Sequence, residues 1–140
     1  MLWLLSIAVL ADDERSVKTI EGLASEIEFT DDLYERLFRH PDPQVGTVYA
    51  EAKTHDGLVE AAQLTESGDS EAASERFVKY VQSEWYRGHR SAAFFDRHKH
   101  SPTAHAGYWA YEAAAIAKVC GIDDSALEGH KHYPWDLAHH

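Results

Sequence analysis

Apolar residues recur at steps of three and four along most of this chain, and that period predicts helices from one end to the other. The densest run is His105 to Asp124, HAGYWAYEAAAIAKVCGIDD. Trp109, Ala113, Ile116, Ala117 and Cys120 share one face at helical spacing. Tyr108, Tyr111, Ala115 and Val119 fill most of the remaining circumference, and only Glu112 and Lys118 carry charge. A helix apolar all round has no face for water, so the pattern predicts a buried central helix over about residues 106–120 with other helices packed around it. Gly121 supplies a left-handed residue to end it, and Ile122 can fold back on the last turn. Asp123, Asp124 and Ser125 offer caps for a short turn that follows.

The other segments read in the same way. MLWLLSIAVLA is an apolar run with no Lys or Arg before it. It is shorter than the roughly 20 residues of a membrane span and lacks the basic start of a signal peptide, so it reads as a buried helix that begins without a cap. That abrupt start suggests a chain lacking an upstream N-terminal segment. Asp12, Asp13 and Glu14 load the start of a second helix, where negative charge suits the dipole, and Val17, Ile20, Leu23, Ala24 and Ile27 give it one apolar face. Thr30 is the expected N-cap of a short third helix carrying Leu33, Tyr34, Leu37 and Phe38, with Phe29 as a staple. His40-Pro41-Asp42-Pro43 stops it. Val45 to Val48 is the one weak strand candidate, and a helix start there fits better. A helix is expected over His55 to Thr65, then a loop at Ser67 to Ser70, then a long helix to about Phe95 with Ala73, Phe77, Tyr80, Val81, Glu84 and Trp85 inward. Gly88 can admit another backbone. After a polar connector and the central helix, Trp135 and Leu137 in the tail should hook onto the helical body. The expected fold is all-α, a single domain over residues 1–140 with about six to seven helices around the central one.

Composition changes this picture little, and charge changes it more. The chain has 140 residues, 44% of them hydrophobic and 26% charged, which suits a single globular domain and argues against disorder. The single cysteine, Cys120, excludes an internal disulfide, and on an apolar helix it reads as an inert thiol, leaning towards a cytoplasmic protein. Net charge is −11. Residues 1–75 hold 17 acidic against 5 basic side chains, and the remainder hold 7 against 8 together with eight of the ten histidines. An acidic half cannot neutralise phosphates, so nucleic acid is not an expected partner. It would complement a basic protein. The basic stripe Arg76, Lys79, Arg87 and Arg90 is expected to pair with the acidic helices.

Two groups could carry chemistry. Asp96, His98, His100 and His105, with Glu112 further on, contain ligand types that zinc or iron accepts, and would make a metal-dependent enzyme. The spacing matches no helical HExxH pattern, so a solvated loop is the simpler reading, and no metal or other cofactor is expected. Glu112 is the other. A carboxylate on an apolar helix needs a partner, and Arg87, Arg90 or a histidine within residues 89–105 is expected to supply one as a structural pair. A general-base role is the competing reading. No phosphate loop, dinucleotide fingerprint or nucleophile elbow is present.

The run GYWAYEAAAIAKVCGIDDSAL, followed by HYPWDLAH, resembles the C-terminal signature of the PoNi family, the immunity proteins of PoNe-type bacterial toxins. Gly107, Tyr108, Trp109, Glu112, Gly121, Asp123, Asp124, Tyr133, Pro134 and Asp136 are among the residues that carry the likeness, as are Tyr111, Ala113 to Ala115, Ala117, Lys118 and Leu137. The resemblance implies an all-helical, cytoplasmic, non-catalytic protein that binds and occludes a DNase delivered between competing bacteria, often by type VI secretion. A nuclease must be basic to hold DNA, so the acidic half becomes the expected docking side, with Asp12, Asp13, Glu14, Asp31, Asp32 and Glu35 as its candidate residues. Another helical scaffold with no toxin partner would share these features. Oligomeric state is not legible.

Overall fold

A computed structural model describes residues 1–39, 52–92, 95, 96, 99 and 108–140. Every regular element among them is helical. Helix α1 spans Leu2–Leu10, α2 Glu14–Glu26, α3 Asp32–Leu37, α4 Ala52–Glu66 and α5 Ser70–Lys79. A π-helical turn, Tyr80–Glu84, joins α5 to α6, Trp85–Gly88. Helix α7 spans Tyr111–Cys120, a 3₁₀ turn follows at Ser125–Leu127, and α8 spans Trp135–Ala138.

Helix α7 is the centre. Ala113, Ala114, Ala115 and Ile116 are fully buried, and α1, α3, α4 and α8 all pack on it. The run of alanines lets those neighbours approach closely without loss of helix propensity. Gly121 ends the helix in the left-handed region (φ 68°, ψ 36°), and the Ile122 N–H donates to the Ala117 carbonyl, so the expected stop is in place. The start differs from expectation. The helix opens at Tyr111, with Ala110 as its N-cap, and Trp109 before it is 38% exposed instead of lying on the inner face. The Ala110 N–H donates to the His132 carbonyl of the tail at 2.8 Å, so this backbone pairs with the tail and not with a preceding turn.

The N-terminal helices show how caps decide boundaries. Asp13 accepts the Ser16 N–H at 3.1 Å and the Ser16 hydroxyl at 2.6 Å, which starts α2. Asp31, not Thr30, caps α3: its backbone is extended and its carboxylate accepts the Leu33 N–H at 3.0 Å. The Phe29 staple forms as an edge-on contact with Tyr34 at 4.9 Å between ring centres. Helix α1 starts without a side-chain cap, but it is buried along one side only, with Leu4 67% exposed. Its last carbonyl, Leu10, accepts from Lys118 Nζ at 3.0 Å, which ties its C-terminal end to α7.

Helices α4 and α5 form a hairpin, turned by Gly68 in the left-handed region and capped by Asp69, which accepts the Ala72 N–H. Helix α4 runs from Ala52, longer than the expected His55 to Thr65. The long helix expected to reach Phe95 stops at Gly88, because His89 Nδ1 bonds the Trp85 carbonyl at 2.7 Å and occupies the acceptor a further turn would use. Gly88 does admit a neighbour, since a Cβ there would meet Thr54 Cγ2 at 2.9 Å. In the tail, Trp135 and Leu137 pack on the core as expected. Residues 45–48 lie outside the described residues.

Candidate functional site

Two constructions stand out, one at the surface and one in the core. The surface feature is a groove of about 360 Å³ between α1, α2 and the end of α3. Val9, Val17, Leu37 and Phe38 give it an apolar floor, Asp12, Asp13, Glu14 and Glu21 rim it, and Lys18 and Arg39 line it as well. The sharp α1–α2 junction places these acids: Asp12 turns the chain after α1 with φ 54°, and Asp13 caps the start of α2. A hydrogen bond from Lys118, at 2.9 Å, holds the Asp12 carboxyl below its usual range. The Ser16 hydroxyl and amide do the same for Asp13. Both carry their charge at neutral pH.

The six candidate docking residues therefore divide. Asp12, Asp13 and Glu14 lie exposed on the groove. Asp31 and Asp32 are buried, 1% and 4% exposed, which corrects their placement on an open acidic face. Asp31 is used as a cap, and Asp32 accepts from Arg36 Nε at 2.9 Å. Arg36, itself 4% exposed, reaches Glu66 at 2.5 Å with its other end, so this charge joins α3 to α4. Glu35 is half-buried. In the basic stripe, Arg76 pairs with Glu60 at 2.5 Å and with Glu84 at 2.9 Å, while Lys79, Arg87 and Arg90 are exposed.

The core feature is Glu112. It is fully buried at the first turn of α7. Its Oε1 accepts the Trp85 indole N–H at 2.5 Å and lies 3.7 Å from His55 Nε2. His89 completes a group of three whose ligand-type atoms lie within 4.8 Å of one another, all buried. Arg87 and Arg90 do not reach it; His89 is a histidine of the expected range 89–105, while His55 on α4 lies outside that range. The π-turn helps build the site. The Trp85 N–H bonds back to the Tyr80 carbonyl, and this wider turn buries Tyr80, Val81 and Trp85 together. Burial alone would push the Glu112 carboxyl up; the His55 and His89 imidazoles beside it outweigh that, so the pKa lies below the ordinary value. Such a carboxylate is held as an anion and fits poorly as a general base at neutral pH.

Of the loop cluster, Asp96 accepts from the Tyr86 hydroxyl and from Lys99 Nζ, both at 2.8 Å. His98, His100 and His105 lie outside the described residues, as does Gly107. Cys120 is a free thiol, and burial pushes its pKa up, which suits an unreactive side chain. The remaining signature residues are mostly joints. The Tyr133 hydroxyl donates to Asp124, Asp123 accepts the Ser125 N–H at 3.0 Å, and Pro134 is the N-cap of α8. Trp109, Tyr133, Pro134 and Asp136 also line a second groove, of about 580 Å³. Among the described residues no helix is long and apolar enough to cross a membrane.

These features define a small all-α domain with an acidic surface groove and a polar cluster sealed in its core. Residues 29–137 match the family model of PoNe immunity proteins (PoNi), C-terminal, and the chain belongs to that family. No curated protein and no solved structure matches the chain.

Proposed function

We propose that this protein binds a cognate PoNe-type DNase stoichiometrically in the cytoplasm and blocks it by covering its surface, with no turnover. Family membership over residues 29–137 is the observation that carries the reading. The groove at the α1–α2 junction supports a place for the contact: an apolar floor with four acidic side chains on its rim suits a Lys or Arg stem lying on Val9 and Phe38. Such side chains are what a DNA-binding enzyme must present.

Co-expression with the toxin gene adjacent to this one should restore growth, and the purified pair should form a one-to-one complex. Asp12→Lys with Glu14→Lys, which leaves the Asp13 cap in place, should weaken that complex at least tenfold, mostly at low ionic strength. A complex of unchanged affinity and salt dependence would remove the groove from the interface. Growth arrest despite co-expression would remove the pairing itself.

A further inference from the structure

We propose that His55, His89 and Glu112 form a buried site for one first-row divalent metal ion of the zinc class, which joins α4, the end of α6 and α7. The three side chains come from separate elements and are 3%, 5% and 0% exposed. Two imidazoles and one carboxylate form the donor set that zinc takes in sites that keep a further position open.

The spacing is close to what an ion needs. Bonds of about 2.1 Å place tetrahedral ligand atoms roughly 3.4 Å apart. His55 Nε2 and Glu112 Oε1 stand at 3.7 Å, and the whole set lies within 4.8 Å. Rotamer adjustments on the order of 1 Å would close the remainder. A second observation points to an occupant. Glu112 Oε2 is buried and has no hydrogen-bond partner, although its other oxygen is well held. A sealed carboxylate oxygen left unused is costly, and a cation beside it removes that cost.

The surroundings are those of a metal ligand's outer shell. Nδ1 of His89 donates to the Trp85 carbonyl at 2.7 Å, which fixes the ring and makes Nε2 the atom that would bind the ion. The Trp85 indole N–H orients Glu112 by donating to Oε1. The two imidazoles meet edge to face at 5.6 Å, and Trp85 tilts against His89 at 4.9 Å, which leaves a dry wall around the donors. A metal here would act on stability, not on a substrate, because every donor is closed off from solvent. This reading goes beyond the toxin interaction and does not depend on it.

The test begins from a chain carrying His139→Ala and His140→Ala, so that the exposed tail contributes no binding. That protein is unfolded, refolded with Co²⁺ or Zn²⁺ and desalted. We expect about one ion retained per chain, visible Co²⁺ absorption bands of low coordination number, and a thermal midpoint that chelator lowers in the unaltered protein. His55→Ala, checked for helix content, should lose the bands and retain less than a tenth of the metal. A refolded, fully helical chain that keeps no metal would overturn the site and leave Glu112 held only by hydrogen bonds. Retention by the His55→Ala and His89→Ala chains equal to that of the parent chain would overturn it as well. An unchanged midpoint with chelator, in a chain that retains metal, would place that ion elsewhere.

Discussion

Glu112 shows how one residue can be conspicuous in a sequence while its surroundings stay hidden. Its position on an apolar helix marked it as a buried charge in need of a partner, and it is one. Of the surrounding groups, only His89 fell within what the sequence led one to expect. His55 sits in an amphipathic segment where a histidine looks unremarkable, and an inward Trp85 says nothing about where its N–H points. Only the packing of α4, α6 and α7 brings them together. Trp85→Phe should expose the dependence, because it removes the indole donor and leaves a small void. A donor lost from a charged acceptor costs about 1.5–3 kcal/mol, and the void adds to that. Urea unfolding monitored by circular dichroism should show a loss in that range; a loss below about 0.5 kcal/mol would mean that the hydrogen bond contributes little.

At the level of elements, helix existence and type were legible almost throughout, while ends were decided by single polar contacts. Thr30 and Asp31 are both capping residues, and nothing in their order told which would turn inward. The long helix after Asp69 ends early because one imidazole takes the Trp85 carbonyl, and the π-turn before it leaves no trace in a three-four pattern. The Gly88 contact was anticipated and is testable. Gly88→Ala would press a methyl into Thr54 on α4, a crowding that costs typically 1–3 kcal/mol against a gain of about 1 in helix propensity. A net loss of stability is expected, and a gain would show that α4 yields freely.

The α1–α2 junction makes an acid-side prediction. The native pKa values of Asp12 and Asp13 lie below the 3.8 of an unperturbed carboxyl, so the native state releases these protons more readily than the unfolded chain. Their stabilising effect is therefore complete above roughly pH 4 and lost as pH falls through their lowered native values. Asp13→Asn keeps a capping side chain but cannot titrate, so its denaturation midpoint should fall less steeply than the native one between about pH 5 and 3. Parallel curves would mean that the cap contributes nothing through its charge.

For the whole molecule, the family match and the folding unit do not coincide. The match starts at residue 29, after both α1 and α2. Yet α1 supplies Leu2, Leu5, Val9 and Leu10 to the core, packs along α7, and has its last carbonyl bound by Lys118. Each fully buried aliphatic side chain stabilises by about 1.5–3 kcal/mol, so four of them amount to roughly 6–12 kcal/mol. The whole stability of such a domain is about 5–15 kcal/mol. A fragment of residues 29–140 should therefore fail to unfold cooperatively and should expose α7, with dye binding typical of loose apolar surface. It should also fail to protect cells. Adding residues 1–28 as a separate peptide should restore helicity and a cooperative transition if packing of α1 on α7 is the missing part. A fragment that melts sharply on its own would show that the alanine-rich centre needs only the helices inside the matched span.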